Sequence, residues 1–216
     1  MNESVRAYLE TLVKRHPALA ACEKDITAAY GIMEASYTQG GKLLVAGNGG
    51  SAADAEHIVG ELMKSFVIER KIDGGFSQAL TDVDPEMGAA LAAHLQGALP
   101  TIALDGHISL STAYMNDCEP LMCFAQQVNG YGLAGDVFLG ISTSGSSKNI
   151  LYAAVTAKAK GMKVVGLTGE GPSRLGKLSD ACIRVPEMET YKVQELHLPV
   201  YHCLCLMLEE RFFKNI

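Results

Sequence analysis

Two pairs of polar side chains could perform acid–base chemistry or hold a metal ion. His57 and Glu61 are four residues apart in a stretch that predicts a helix, so both side chains project from one face of that helix. Gln194 and His202 are eight residues apart near the end of the chain, just over two helical turns, and also project from similar sides. Two imidazoles, a carboxylate and an amide would make a nitrogen and oxygen site suited to zinc or a similar divalent ion.

Each pair also has a simpler interpretation. A histidine and a carboxylate four residues apart are often only a surface pair on a helix. A histidine on a mostly apolar helix, such as the stretch around His202, is often a core residue with satisfied hydrogen bonds. Spacing alone does not bring the two pairs together, because they lie in distant parts of the sequence.

A segment rich in hydroxyl groups, Ser142–Ser147, joins a predicted strand to a predicted helix. Five of its six residues carry a hydroxyl. Hydroxyls and backbone N–H groups together can surround the oxygens of a phosphate monoester, and open α/β sheets bind ligands at the carboxyl ends of their strands. The alternative is N-capping of the helix, which explains only one or two of the hydroxyls. We therefore expect a phosphate-binding turn.

A glycine-rich turn, Gly47–Ser51, also joins a predicted strand to a predicted helix. Its glycines let the backbone approach a ligand closely, and the helix N-terminus behind it offers unpaired N–H groups. The turn has neither the spacing of a dinucleotide-binding fingerprint nor the lysine of an ATP-binding loop. An ordinary tight turn is the alternative interpretation.

Short apolar runs alternate with amphipathic stretches, which predicts an α/β fold with a central parallel sheet and helices on both faces. The predicted strands are Lys42–Ala46, Pro100–Leu104, Asp136–Ile141, Met162–Leu167 and Ala181–Val185. The predicted helices are Val5–Val13, Ile26–Tyr37, Ala52–Phe66, Pro85–Leu95, Asp117–Val128, Lys148–Lys160 and Thr190–Phe213. Asp84 is a suitable N-cap, Gly74-Gly75 predicts a turn, and Pro199 is expected to disturb the last helix just before His202.

Composition and charge restrict the possible functions. The chain has 216 residues, of which 48% are hydrophobic and 19% charged, so one domain with a sizeable core is expected. A net charge of −6 without any Lys/Arg run argues against a nucleic-acid partner. We find neither an apolar run of about 18 residues nor a secretion signal, so we expect no membrane association and a cytoplasmic location. The six cysteines form no C-x-x-C pair, which favours reduced thiols.

Four segments are similar to one known family. They are GNGGSAADAEHIVGEL (Gly47–Leu62), LGISTSGSSKN (Leu139–Asn149), KGMKVVGLTG (Lys160–Gly169) and VQELHLPVYH (Val193–His202). In this order and spacing they resemble the phosphoheptose (sedoheptulose-7-phosphate) isomerases of the SIS-domain superfamily. The resemblance implies a single SIS domain over residues 1–216, with three layers and N-terminal helices over about residues 1–40. Residues 67–99 exceed the family's corresponding connection, so we expect an insertion there.

The resemblance also implies roles for individual residues. His57, Glu61, Gln194 and His202 match the family's metal ligands, for which Zn²⁺ is expected, and Glu61 and His202 match its acid–base pair. The positions that match its substrate-binding residues are Asn48, Gly49, Gly50, Ser51, Asn116, Asp117, Ser142, Thr143, Ser144, Ser147 and Gln194.

The function implied by the resemblance is the interconversion of sedoheptulose 7-phosphate and D-glycero-D-manno-heptose 7-phosphate through an enediol, assisted by the metal. The family forms homotetramers with active sites shared between subunits. Two alternatives stay open at this point. One is a non-catalytic regulator or adaptor that binds a phosphosugar on the same fold, and the other is a different sugar-phosphate enzyme of the superfamily.

Overall fold

A five-stranded parallel sheet forms the centre of the protein in a computed structural model that describes residues 1–214. The strands follow the spatial order β2-β1-β3-β4-β5. Their bounds are β1 (Leu43–Ala46), β2 (Thr101–Ala103), β3 (Val137–Ile141), β4 (Lys163–Thr168) and β5 (Ala181–Arg184). Each strand was predicted from a short apolar run, and the predicted α/β class is confirmed.

The sheet is buried on both faces, as apolar runs without alternation predict. Leu43 and Val45 of β1 pack into one core cluster, whereas Leu44 and Ala46 pack into the other. Because successive side chains of a strand point to opposite faces of the sheet, each face requires its own layer of helices.

Helices form the two outer layers of the predicted three-layer fold. Helices α1, α2, α3 and α10 contribute to the first core cluster, and α7, α8 and α9 contribute to the second. The helix bounds are α1 (Glu3–Arg15), α2 (Glu23–Thr38), α3 (Gly50–Met63), α4 (Gly74–Val83), α5 (Pro85–His94), α6 (Ile108–Asp117), α7 (Cys123–Tyr131), α8 (Lys148–Ala159), α9 (Arg174–Leu178) and α10 (Thr190–Phe213).

The expected insertion, residues 67–99, folds into the hairpin of helices α4 and α5. The predicted turn at Gly74-Gly75 is wrong, because both glycines lie in the first turn of α4, where the Asp73 side chain caps the helix. The predicted cap at Asp84 is correct, since its carboxylate accepts hydrogen bonds from the N–H groups of Glu86 and Met87. Whether this hairpin is an insertion relative to the family remains a prediction.

The predicted helix Asp117–Val128 is correct only from Cys123, where α7 begins. Helix α6 ends at Asp117, and the chain is extended at Cys118 and Glu119 before a short 3-10 turn leads into α7. Proline at position 120 causes the break, because it disfavours the helical conformation of the preceding residue.

The terminal helix α10 spans the predicted range and contains Pro199 in its interior. The helix continues beyond this proline, so His202 keeps its place on the same helix as Gln194. Within residues 1–214 no helix has the length and apolar character needed to cross a membrane. The six cysteines are free thiols, as predicted.

Candidate active site

The two predicted ligand-binding turns lie side by side at the carboxyl ends of two neighbouring strands. Strands β1 and β3 are hydrogen-bonded neighbours, with Ala46 opposite Gly140. The turn Gly47–Ser51 follows β1 and the turn Ser142–Ser147 follows β3, so both turns lie at carboxyl ends of adjacent parallel strands. This is the edge at which open α/β sheets bind ligands.

The glycine-rich turn depends on glycine for its shape. Gly49 has a φ of 58°, a left-handed conformation that other residues rarely adopt, and it serves as the N-cap of α3. A Cβ atom at Gly47 would clash with the backbone of Ser51. At its glycines the turn therefore offers backbone atoms, rather than side chains, for contact with a ligand.

Two asparagines tie the turns together. Asn48 Nδ2 donates to Asn149 Oδ1 at 3.1 Å, and Asn149 Nδ2 donates to Asn48 Oδ1 at 2.7 Å. Asn149 also accepts a hydrogen bond from the N–H of Ile150 through its side chain, within the first turn of α8. The sequence analysis did not single out Asn149, although it stands in one of the segments that resemble the family.

The serine-rich turn keeps its hydroxyls close together. Ser142 Oγ and Ser147 Oγ are 3.0 Å apart and share a hydrogen bond, and Ser144 Oγ accepts from the N–H of Ser146 at 3.2 Å. Ser147 is the N-cap residue of α8, but in the described chain its side chain makes no capping hydrogen bond. N-capping therefore does not explain this hydroxyl, and its expected role in phosphate binding stays a prediction.

Gln194 of α10 reaches the glycine-rich turn. A Cβ atom added to Gly50 would lie 2.6 Å from Gln194 Nε2, so the amide rests directly against the backbone of Gly50. The terminal helix and the first helical turn of α3 therefore meet at this point, and the absent side chain of Gly50 makes room for the amide.

Three of the predicted metal-binding or catalytic side chains converge between α3 and α10. His57 Nε2 lies 3.1 Å from Glu61 Oε1 and 3.4 Å from His202 Nε2. The i,i+4 spacing on α3 brings the first two together, and the packing of α10 against α3 adds the third. This convergence is what sequence spacing could not establish.

Two residues that the sequence analysis missed orient His57. The Tyr201 hydroxyl donates to Asp54 Oδ1 at 3.2 Å and lies 3.0 Å from His57 Nδ1. Burial raises the pKa of Tyr201 and that of Asp54, while the hydrogen bond from Tyr201 opposes the shift at Asp54. Both residues are one helical turn or less from a predicted ligand, which is the only sequence signal that would have pointed to them.

The hydrogen bonds of the Tyr201 hydroxyl determine which ring nitrogen of His57 carries a proton. A phenol carries one proton, and when Tyr201 donates it to Asp54 its oxygen accepts a hydrogen bond from Nδ1–H of His57. In the neutral imidazole, the Nε2 atom of His57 then presents a lone pair to Glu61 and to His202. Lone pairs and a carboxylate at such distances need a proton or a cation between them.

The environment of His202 favours its neutral form. Burial lowers the pKa of His202, neighbouring His57 lowers it further, and Glu61 opposes the shift. The ring of Phe66 packs beside it, with 5.5 Å between ring centroids. An imidazole that is neutral near pH 7 can either donate or accept a proton.

Asn116 and Asp117 are the predicted substrate-binding residues at the end of α6. Both are exposed on α6, and Asn116 Nδ2 donates to Asp117 Oδ1 at 2.8 Å. Hydrogen bonds from either side chain to the other predicted site residues are absent from the described part of the chain. Their assignment remains a prediction.

The metal site is only partly supported by geometry. Zinc bonds of about 2.0–2.1 Å in tetrahedral geometry place neighbouring ligand atoms roughly 3.3 Å apart, close to the two distances measured from His57 Nε2. The hydrogen bond at its Nδ1 is the usual way of orienting a metal-bound histidine. No group of three or more His, Cys, Asp or Glu residues in the range 1–214, however, is arranged as a metal-binding cluster. The donor types fit a divalent cation, but the complete ligand set is not assembled.

Known proteins are similar to this chain over nearly its whole length. The SIS domain family matches residues 4–80 and 75–169. A phosphoheptose isomerase from Aneurinibacillus thermoaerophilus is 34% identical, covering 100% of this chain and 97% of that protein, and one from Rhodospirillum rubrum is 36% identical, covering 97% and 98%. The structure of a phosphoheptose isomerase from Francisella tularensis superposes with a TM-score of 0.74 and 30% identity, covering 97% of this chain and 100% of that one. The chain therefore belongs to the SIS domain family and, within it, to the phosphoheptose isomerases.

Proposed function

We propose that the protein is an aldose–ketose isomerase that converts sedoheptulose 7-phosphate to D-glycero-D-manno-heptose 7-phosphate. The observation that carries the proposal is the convergence of Glu61 and His202 on His57, between helices α3 and α10. A histidine and a carboxylate separated by one imidazole supply the acid and the base that isomerisation needs. The identity of the substrate as a heptose phosphate is inferred from family membership.

The reaction moves one proton between neighbouring carbons. Glu61, as base, removes a proton from C1 of the ketose, and the electron pair of that C–H bond forms the C1=C2 double bond. His202, as acid, gives a proton to the C2 carbonyl oxygen, which produces the enediol. Return of the carbon-bound proton to C2 and loss of the proton from the C1 hydroxyl then generate the aldehyde.

The serine-rich turn anchors the phosphate in this proposal. Hydroxyls of Ser142, Ser144 and Ser147, with the helix N-terminus of α8, bind the phosphate oxygens. Asn48 and Asn149 keep this turn in register with the glycine-rich turn. Binding energy at the phosphate, remote from the reacting carbons, thereby orients C1 and C2 within reach of Glu61 and His202.

A divalent metal, Zn²⁺, is part of the proposal, with His57, Glu61, Gln194 and His202 as its ligands. When bound, it would polarise the substrate's carbonyl and stabilise the negative charge that develops on oxygen. The support comes from the donor types and from the lone pair that His57 Nε2 presents to its neighbours.

Replacement of the acid–base residues tests the mechanism. Glu61→Gln and His202→Ala should each lower kcat by about 10²–10⁴-fold, because each removes one proton-transfer group. Glu69→Gln is the matched control, since Glu69 is an exposed carboxylate in the next segment and should leave kcat unchanged. Aldose formation from sedoheptulose 7-phosphate gives the rates, and circular dichroism checks the fold. Turnover close to that of the unmodified protein in both variants would exclude this mechanism.

Removal of bound metal with a chelator tests metal assistance separately from the acid–base mechanism. Sedoheptulose 7-phosphate turnover that disappears after chelation and returns with Zn²⁺ would support metal assistance. Full turnover after complete removal of metals would reject it and leave the acid–base pair in place. Binding of the sugar phosphate without turnover would favour the regulator interpretation.

We also propose a homotetramer in the cytoplasm. Apolar side chains on α4, α5 and α6, among them Val83 (88% exposed) and Ile108 (76% exposed), project from the single chain. Exposed apolar residues in such number are typical of surfaces that other subunits cover. Sedimentation should give four times the chain mass of 23.0 kDa, and a monomer would contradict this assembly. The reduced cysteines fit a reducing compartment.

A further inference from the structure

A buried ion pair lies behind the acid–base residues. Arg70 Nε donates to Glu209 Oε1 at 2.8 Å, and neither side chain has exposed surface. The Glu209 carboxylate also accepts hydrogen bonds from the backbone N–H groups of Phe66 at 2.8 Å, Val67 at 2.9 Å and Ile68 at 3.2 Å. Burial of charges is costly unless they are paired and hydrogen-bonded, and here the carboxylate has a partner for each oxygen.

The guanidinium of Arg70 closes the end of helix α3. Nη1 donates to the carbonyl of Leu62 and Nη2 to the carbonyl of Glu61, both at 2.8 Å. Carbonyls in the last turn of a helix lack partners within the helix, and a cation is favourable at that end. The backbone that carries the Glu61 side chain is therefore held directly by Arg70.

Glu209 connects the ion pair to His202 through Phe66. Its carboxylate binds the N–H of Phe66, and the Phe66 ring packs against the imidazole of His202. Glu209 also stands on α10, two turns beyond His202. One ion pair thus bonds to the backbone of Glu61, to the residue that contacts His202 and to the helix that carries His202.

We propose that Arg70 and Glu209 are positioning residues that set the separation between the side chains of Glu61 and His202. This inference rests on the proposed function, since it gives those two side chains their roles. Neither positioning residue is assigned any contact with the substrate. Displacement of a reacting group by about 1 Å can cost roughly 10²-fold in rate, so loss of the pair should affect catalysis more than binding.

The test requires a control with the same chemistry elsewhere in the molecule. Asp136 is a buried carboxylate that binds Lys42 Nζ at 2.6 Å and accepts from the N–H groups of Lys42 and Leu133. It precedes β3, at the edge of the sheet opposite the ligand-binding turns. Glu209→Gln and Asp136→Asn therefore each remove one charge from a buried, hydrogen-bonded pair, but only the first lies next to the proposed acid–base residues.

Steady-state kinetics below the thermal midpoint of each variant distinguish positioning from stability. Glu209→Gln should lower kcat by about 10- to 100-fold with KM within about twofold, because the phosphate turn is untouched. Asp136→Asn should keep kcat within about twofold, even if its thermal midpoint falls equally. Arg70→Lys, which keeps the charge but loses the planar fork, should retain more activity than Arg70→Gln. The two Arg70 variants provide the same comparison if Glu209→Gln does not fold.

The outcomes separate this inference from the proposed function. Equal kcat values for Glu209→Gln and Asp136→Asn, with an active unmodified protein, would overturn the positioning role alone. A rise in KM at unchanged kcat would also overturn it. No turnover by the unmodified protein would overturn the proposed function and, with it, the inference that depends on it.

Discussion

His57 shows how one side chain of the site depends on contacts outside the predicted set. Its Nδ1 atom is held by Tyr201, which is held in turn by Asp54. The rings of His57 and Tyr201 also meet edge to face, with centroids 5.5 Å apart. These contacts decide which nitrogen of His57 faces Glu61 and His202, so the chemistry of the site depends on Tyr201 as well.

Removal of the Tyr201 hydroxyl should therefore impair catalysis. Tyr201→Phe keeps the ring but deletes the hydrogen bond that orients His57, and we expect activity to fall by about 10- to 100-fold. The matched control is Tyr37→Phe, which deletes the hydrogen bond between a buried phenol and Thr101, neither of which contacts His57. Initial rates for both variants provide the measurement. Equal activities would show that the orientation of His57 does not depend on this hydroxyl.

Among the secondary-structure elements, the position of α10 against α3 creates the site. Gly50, in the first turn of α3, leaves room for the Gln194 amide of α10. Tyr201 of α10 contacts His57 of α3 two turns further along both helices. Two helices from opposite parts of the chain thus supply facing side chains, and glycine at position 50 permits their close approach.

Glycine-to-alanine changes on α3 separate packing from function. Gly50→Ala would place a methyl group 2.6 Å from Gln194 Nε2, so this flexible amide must move, and we expect about a tenfold loss in kcat/KM with little loss of stability. Gly60→Ala, on the same helix, meets no atom of residues 1–214 within 4 Å and should raise the free energy of unfolding by about 0.5–1 kcal/mol. Urea unfolding and steady-state kinetics test both variants. Full activity in Gly50→Ala would show that the position of Gln194 is unimportant.

For the molecule as a whole, the three-layer arrangement buries polar groups that affect its stability. His197 of α10 is completely buried in the layer formed by the terminal helix. Burial lowers the pKa of His197 to about 4, whereas the nearby backbone of Thr168 opposes the shift. Its ordinary pKa in an unfolded chain is about 6.5.

Acid should therefore destabilise the fold through His197. Between about pH 6.5 and 4 the unfolded chain binds a proton at this residue and the folded chain does not, so stability falls as the pH falls. His197→Leu should remove up to ~1.4 kcal/mol per pH unit of this dependence. Urea unfolding at several pH values measures it, with His94→Leu, on the exposed face of α5, as control. A parallel pH dependence in His197→Leu and the unmodified protein would contradict the assignment.

The elements of the molecule could largely be predicted from sequence, because their signals are local. Apolar runs, glycine turns and caps such as Asp84 depend on neighbouring residues, and the terminal helix was predicted with the observed bounds. The wrong predictions come from local signals that conflict: Gly74-Gly75 favour a turn, but Asp73 caps a helix there, and Pro120 interrupts a pattern that otherwise favours a continuous helix.

The sequence by itself determined the α/β class, the two turns after β1 and β3, and the residue types at the site. Only the tertiary structure decided that His57, Glu61 and His202 converge and that Asn149 joins the turns. It also paired Arg70 with Glu209 across the core. The physical reason is that such contacts arise from the packing of helices against a sheet, and no local spacing encodes which distant residues that packing brings together.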